Sequence, residues 1–160
     1  MAVRRLGLGG LINITDLDLE DVGRCTQLEW LELTACPRVS DAGIKQVGLL
    51  AARQTKARQK WESDGHGGAP PGALTYLDLG GLVRLSDTAL QKLVQRTGWL
   101  RTLDLRGCGK LTADGLLTAL APTAVMPSLS RLTLTACPVG ASSHVAEQLQ
   151  RTRPRCHVIV

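Results

Sequence analysis

Five cysteines, three histidines and a glycine-rich start are the residues of this 160-residue chain whose types first suggest chemistry. The cysteines stand at 25, 36, 108, 137 and 156. An odd number with no Cys-x-x-Cys pair argues against a complete disulfide framework and against a zinc site. Reduced thiols, as kept in a cytosolic, nuclear or organelle-matrix setting, fit better. His66, His144 and His157 lie far apart, and none has a cysteine or carboxylate at ligand spacing. No His-Glu-x-x-His helix, P-loop or nucleophile elbow is present. Gly7, Gly9 and Gly10 are a weak phosphate-loop signal, because no Gly-Lys-Ser/Thr ending follows them. The expectation is a chain without catalytic residues, metal or cofactor.

The remaining chemistry is that of recognition. Three Trp and one Tyr are the only aromatic residues, and Phe is absent. Nineteen Lys and Arg oppose fourteen Asp and Glu, for a net charge of +5. That mild excess suits an ordinary soluble surface and leaves room for an acidic partner or nucleic acid. No apolar run approaches the roughly 20 residues that span a membrane. The opening residues carry Arg4 and Arg5 and no acid before Asp16, a faint likeness to a mitochondrial presequence. The pattern described next accounts for the same residues. The expected setting is intracellular, either cytoplasmic or an organelle matrix, mitochondria included.

The elements that must position these side chains come from an internal repeat. Leu28, Leu31, Leu33, Cys36, Val39 and Ile44 have counterparts in Leu74, Leu77, Leu79, Leu82, Leu85 and Leu90. Leu100, Leu103, Leu105, Cys108, Leu111 and Leu116 repeat the spacing. A fourth copy runs from Leu129 through Leu132, Leu134 and Cys137, and an earlier, weaker one from Val3 through Leu6, Leu8 and Leu11. Arg155 to Val160 reads as a closing strand. The starts at 3, 28, 74, 100, 129 and about 155 give steps of 25, 46, 26, 29 and 26. Most fall in the range of about 20–29 residues expected of leucine-rich repeats.

Within each copy the last two leucines are two apart, so they share one face of a short strand and the residue between them points outward. A Ser/Thr-Asp pair then caps a helix, on which positions such as Leu90, Leu93 and Val94 share a face. One unit cannot bury that face alone, but stacked units can. The expected fold is an α/β leucine-rich-repeat solenoid of one domain over 1–160, a short horseshoe with parallel strands on the concave face and helices on the convex face. Cys36, Cys108 and Cys137 recur at a position that Leu82 also occupies, so they read as small buried hydrophobes. Residues 53–72 are an insertion. Arg53, Lys56, Arg58, Lys60 and Trp61 extend the helix that begins near Asp41, and Ser63 to Gly72 form a flexible loop.

The Cys-x-x-Leu turn, as at Cys36 to Val39 and Cys108 to Leu111, resembles the cysteine-containing class of leucine-rich repeats. With a period near 26, it is similar to the repeats of F-box/leucine-rich-repeat proteins and their F-box-less relatives. Cys25 to Leu28 and Met126 to Leu129 resemble that family's lead-in to each strand. The resemblance implies protein recognition. In the best-known branch the repeats present a substrate to a Skp–cullin–F-box ubiquitin ligase. No F-box segment precedes the first copy at Val3, so the expectation leans to the other branch, a structural or assembly subunit of a larger complex.

The outward strand positions are the candidate protein-binding residues: Arg5, Trp30, Glu32, Tyr76, Asp78, Thr102, Asp104, Arg106, Arg131, Thr133 and His157. Trp, Tyr and Arg are the types most often found as interface hot spots. The basic insertion is a second candidate surface, for RNA phosphates or an acidic protein, although a solvated helix end followed by a tolerated insertion is the more usual explanation.

Overall fold

The computed structural model describes residues 3–65, 72–138 and 143–160. Its elements alternate strictly between strand and helix. They are β1 (Arg5–Gly7), α1 (Asp18–Val22), β2 (Trp30–Glu32), α2 (Asp41–Ser63), β3 (Tyr76–Asp78) and α3 (Asp87–Val94). Then follow β4 (Thr102–Asp104), α4 (Ala113–Leu120), β5 (Arg131–Thr133), α5 (Ser143–Thr152) and β6 (His157–Ile159). The six strands form one open parallel sheet in chain order, a layout compatible with a solenoid. Each strand begins two residues after one of the starts read from the sequence. His66 and most of the expected loop lie outside the described residues.

The register explains the leucine spacing. Leu6, Leu31, Leu77, Leu103, Leu132 and Val158 are successive partners across the sheet. Leu31, Leu77, Leu103 and Leu132 are fully buried, as are Leu33, Leu79, Leu105 and Leu134 two residues on. Each contributes about 1.5–3 kcal/mol by leaving water. Helix residues Ile44, Val47, Leu90, Leu93, Leu116 and Leu120 close the other side of this layer.

Caps hold the helices in place. The side chains of Ser40, Ser86 and Thr112 accept from the N–H groups of Ala42, Ala89 and Gly115. The aspartates beside these caps act across units instead. Asp16 accepts from the Ser40 N–H (2.7 Å), the Ser40 hydroxyl (2.6 Å) and the Gly43 N–H (3.0 Å). Asp41 accepts from the N–H and hydroxyl of Ser86 at 2.9 and 2.6 Å, and Asp87 from those of Thr112 at 2.9 and 2.7 Å. Each carboxylate thus ties its own unit to the next helix cap. Ala113 stands at the corresponding place in α4, and there the series stops.

Two further sets of contacts were hidden in the sequence. The cysteines do more than fill volume: the thiols of Cys36, Cys108 and Cys137 donate to the carbonyls of Leu8, Leu79 and Leu105 at 3.2, 3.2 and 2.9 Å. Leu82 offers no such donor. The turn after each of the first five strands uses a left-handed residue, at Gly10, Ala35, Gly81, Gly107 and Ala136. In two of the five, an alanine occupies a conformation that glycine adopts without strain.

Helix α2 has 23 residues against 8 in α3. At about 1.5 Å per residue it is about 34 Å long. Among the described side chains its buried residues end at Gln54, whose amide donates to the Leu28 carbonyl (2.7 Å) and accepts from the Leu74 N–H (3.0 Å). Of the described side chains that follow in the helix, Thr55 and Trp61 are half-buried and the others exposed. At the other end of the chain Arg153 is 5% exposed and has no acidic partner among the described residues. Its guanidinium donates to the carbonyls of Leu120, Pro122 and Met126. Two of these lie at the C-terminal end of α4, where the helix dipole favours a cation. Burial lowers its pKa from the ordinary value.

Candidate functional site: the outward strand face

Strand register brings the outward residues into two rows. Arg5, Trp30, Tyr76, Thr102, Arg131 and His157 form the first row, and Gly7, Glu32, Asp78, Asp104, Thr133 and Ile159 the second. The first row contains a continuous column. The guanidinium of Arg5 lies over the Trp30 ring, 5.1 Å from its centre. The Trp30 and Tyr76 rings stack at 5.0 Å with an interplanar angle of 14°. A guanidinium on an indole contributes about 0.5–1 kcal/mol at an exposed site. The aromatic pair adds about 0.5–1.5 kcal/mol. Both rings remain half-buried, so one flat side chain from each of three neighbouring strands is presented at the surface.

A Cβ on Gly9 would meet the Glu32 carboxylate at 2.7 Å. That glycine of the stretch that resembled a phosphate loop therefore gives space to Glu32 from the next strand.

The second row corrects part of the expectation. Asp78 is 1% and Asp104 8% exposed, so neither is an open contact residue. Arg106 spans them, at 2.7 Å from Asp78 and 3.1 Å from Asp104. The N–H groups of Gly80 and Arg106 complete the carboxylates at 2.8 and 2.9 Å. The hydrogen bond to Asp78, reinforced by the two negative charges, raises the Arg106 pKa above its ordinary value. Burial raises the Asp104 carboxyl, and the neighbouring Asp78 charge works in the same direction. Burial also pushes the Tyr76 phenol up, helped by the Asp78, Asp104 and Glu32 carboxylates. The phenol is thus kept neutral and available as a hydrogen-bond donor.

Beside Arg106 lies a shallow hollow of about 270 Å³, lined by Thr34, Ala35, Gly80, Gly107, Thr135 and Ala136. The Thr34 hydroxyl there has no hydrogen-bond partner among the described residues. Sequence reasoning missed this hollow, because it is built from turn residues that carry little signal singly. It also missed Arg101 and Arg155, which are exposed near Arg131 and His157 and make no ion pair among the described residues. Thr102 and Thr133 are half-buried between these groups.

The basic insertion is not part of this face. Arg53 donates to the Gly23 carbonyl at the end of α1, so it braces the fold. Lys56 and Lys60 are exposed on the last turns of α2, with Trp61 half-buried nearby, and the backbone of Arg58 lies in the same helix. Among the described residues there is no cluster of three or more metal-ligating side chains. No described helix is long and apolar enough to cross a membrane. No family model matches the chain, and no curated protein matches it.

Proposed function

We propose that the chain is a short leucine-rich-repeat solenoid that works as a protein-recognition module, a structural or assembly subunit that holds a partner protein against its strand face. The observation that carries this reading is the Arg5–Trp30–Tyr76 column, set beside the Asp78 and Asp104 carboxylates that Arg106 bridges. Rigid aromatic anchors offer contact area at low entropic cost, and they are the groups around which interface energy concentrates. The exposed cations at the β4–β6 end favour a partner that is acidic there.

Native purification of the tagged chain with quantitative mass spectrometry tests this. A stoichiometric partner is expected with the parent chain and is lost with Trp30→Ala, whose half-buried, outward side chain leaves the core intact. A hot spot of about 2 kcal/mol weakens binding about thirtyfold. Retention of the partner by both Trp30→Ala and Arg5→Ala would rule out the strand face. Recovery of Skp and cullin would replace the subunit reading with the ubiquitin-ligase adaptor reading. Salt-sensitive RNA binding that disappears with Lys56→Ala and Lys60→Ala would favour the basic insertion instead.

A further inference from the structure

A second surface lies on the helix layer, away from the strand face. Helices α2 and α3 leave between them a groove of about 460 Å³. Its floor contains Ile44, Gly48, Ala89 and Leu93, and three cations, Lys45, Lys92 and Arg96, stand along its rim. The small side chains explain why it exists. Gly48 has no Cβ, and one built there would already lie 3.6 Å from the Arg96 side chain. The cations are exposed and make no hydrogen bond or ion pair among the described residues. The nearest acid, Asp41, closes one end of the groove with its carboxylate already engaged by Ser86.

The equivalent space between α3 and α4 is the internal comparison. It measures about 230 Å³ and is lined by Gln91, Thr112, Asp114 and Thr118 among others, with no cation. The basic rim is therefore a property of the α2–α3 groove and not of helix surfaces in this fold generally. The placement of the charges says what fits. Lys45 stands on α2, Lys92 on α3, and Arg96 two residues past the end of α3 with its side chain beside Gly48. The cations thus come from both walls of the groove. Carboxylates flanking the apolar stripe of another helix meet charges placed in this way. An apolar floor with a cationic edge is the complement of an acidic amphipathic helix.

We infer that the α2–α3 groove is a docking site for an acidic amphipathic helix of a partner protein, its apolar side chains seated over Ile44, Ala89 and Leu93 and the carboxylates beside them facing Lys45, Lys92 and Arg96. The site is independent of the strand-face reading and stands or falls separately.

A labelled synthetic helix of about 18 residues, long enough to hold helical structure, serves as the probe. It carries leucines on one face and glutamates one turn apart beside them, and a control replaces every Glu by Gln. Fluorescence anisotropy on the intact chain is expected to show the acidic peptide binding at least tenfold more tightly than the control, with affinity that falls as salt rises. The double variant Lys92→Glu/Arg96→Glu reverses two exposed charges without touching the core and is expected to weaken binding about tenfold. Gly48→Leu, which fills the floor, is expected to weaken both peptides. Trp30→Ala on the strand face is expected to change neither. Equal binding of the two peptides, no loss in the charge-reversal variant, or an equal loss in Trp30→Ala would overturn the inference. Displacement of the peptide by inorganic phosphate at matched ionic strength would overturn it too, because it would mark a site for any anion.

Discussion

Asp16 is the most heavily bonded of the three carboxylates that tie one unit to the next, and its removal can be worked out in advance. It accepts from two backbone N–H groups and one hydroxyl of the following unit. A hydrogen bond to a charged acceptor contributes about 1.5–3 kcal/mol when well buried. Asp16 is only half-buried, so about 1 kcal/mol per bond is the better figure, and Asp16→Ala should cost about 3 kcal/mol. Asp16→Asn keeps one acceptor oxygen and should cost about half as much. For a chain of this size 1 kcal/mol moves Tm by about 2–4 °C, so the Ala variant should melt about 6–12 °C lower if the chain unfolds as one unit. The loss should be concentrated at β1 and α1, which would free Arg5 from the Trp30 ring. Hydrogen exchange of those amides should rise more than that of β4 and α4.

The pH dependence of the same variant gives a sharper test. Burial alone would raise the Asp16 pKa, but the Ser40 hydroxyl and the N–H groups of Ser40 and Gly43 together hold it below the ordinary carboxyl value. A carboxylate with a lowered folded pKa stabilises fully above its unfolded value and loses that stabilisation as pH falls through the folded one. The stability gap between the parent chain and Asp16→Asn should therefore be complete at about pH 7 and close as the pH drops below about 4. A double-mutant cycle with Ser40→Ala should give a coupling of about 1–2 kcal/mol. A gap that stays constant across that pH range, or a cycle with no coupling, would refute the claim that this carboxylate joins the units.

Three other outcomes are expected. Ala35→Gly and Ala136→Gly relieve positive φ angles of 53° and 56°, and each should stabilise by about 0.5–1 kcal/mol in chemical denaturation. Arg106→Ala leaves Asp78 and Asp104 without their shared cation. Because Arg106 is itself half exposed, water replaces part of it, and the cost at neutral pH should be about 2 kcal/mol, below the 3–5 kcal/mol of a fully buried pair. That deficit should shrink as the pH falls and the Asp104 carboxyl, its pKa raised by burial, becomes neutral. Burial pushes the Cys108 thiol up to about 12 and also raises those of Cys36, Cys137 and Cys156. Alkylation of the native chain near pH 8 should therefore reach the half-buried Cys25 first, with the other four labelled only on denaturation, as peptide mapping would show.

The parallel sheet was legible because its information is local and periodic. Leu31, Leu77, Leu103 and Leu132 can be aligned by counting, and a serine or threonine before a helical pattern announces a cap. What escaped depends on contacts between units. The spacing that makes Asp78 and Asp104 outward cannot show that Arg106, a row further on, folds over them. The aspartates after Ser40 and Ser86 look like part of their own caps, yet Asp41 serves the helix that follows, a relation that only the register reveals. Arg53 reads as one more surface cation until the turn of α2 that bears it is seen beside Gly23. The interchange of Cys with Leu82 showed that the position is apolar but hid the thiol's role as a donor.

The unequal length of α2 has a consequence for any protein that lies along this one. A surface assembled from similar units offers a visitor several nearly equivalent placements, each offset by one unit. The chain breaks that degeneracy in one place. Past Gln54 helix α2 continues for nine more residues to Ser63, and no other described helix is so long. A partner displaced by one unit would meet those residues at a different place or not at all. They mark one unit off from the rest, on a surface whose periodicity would otherwise leave its units alike.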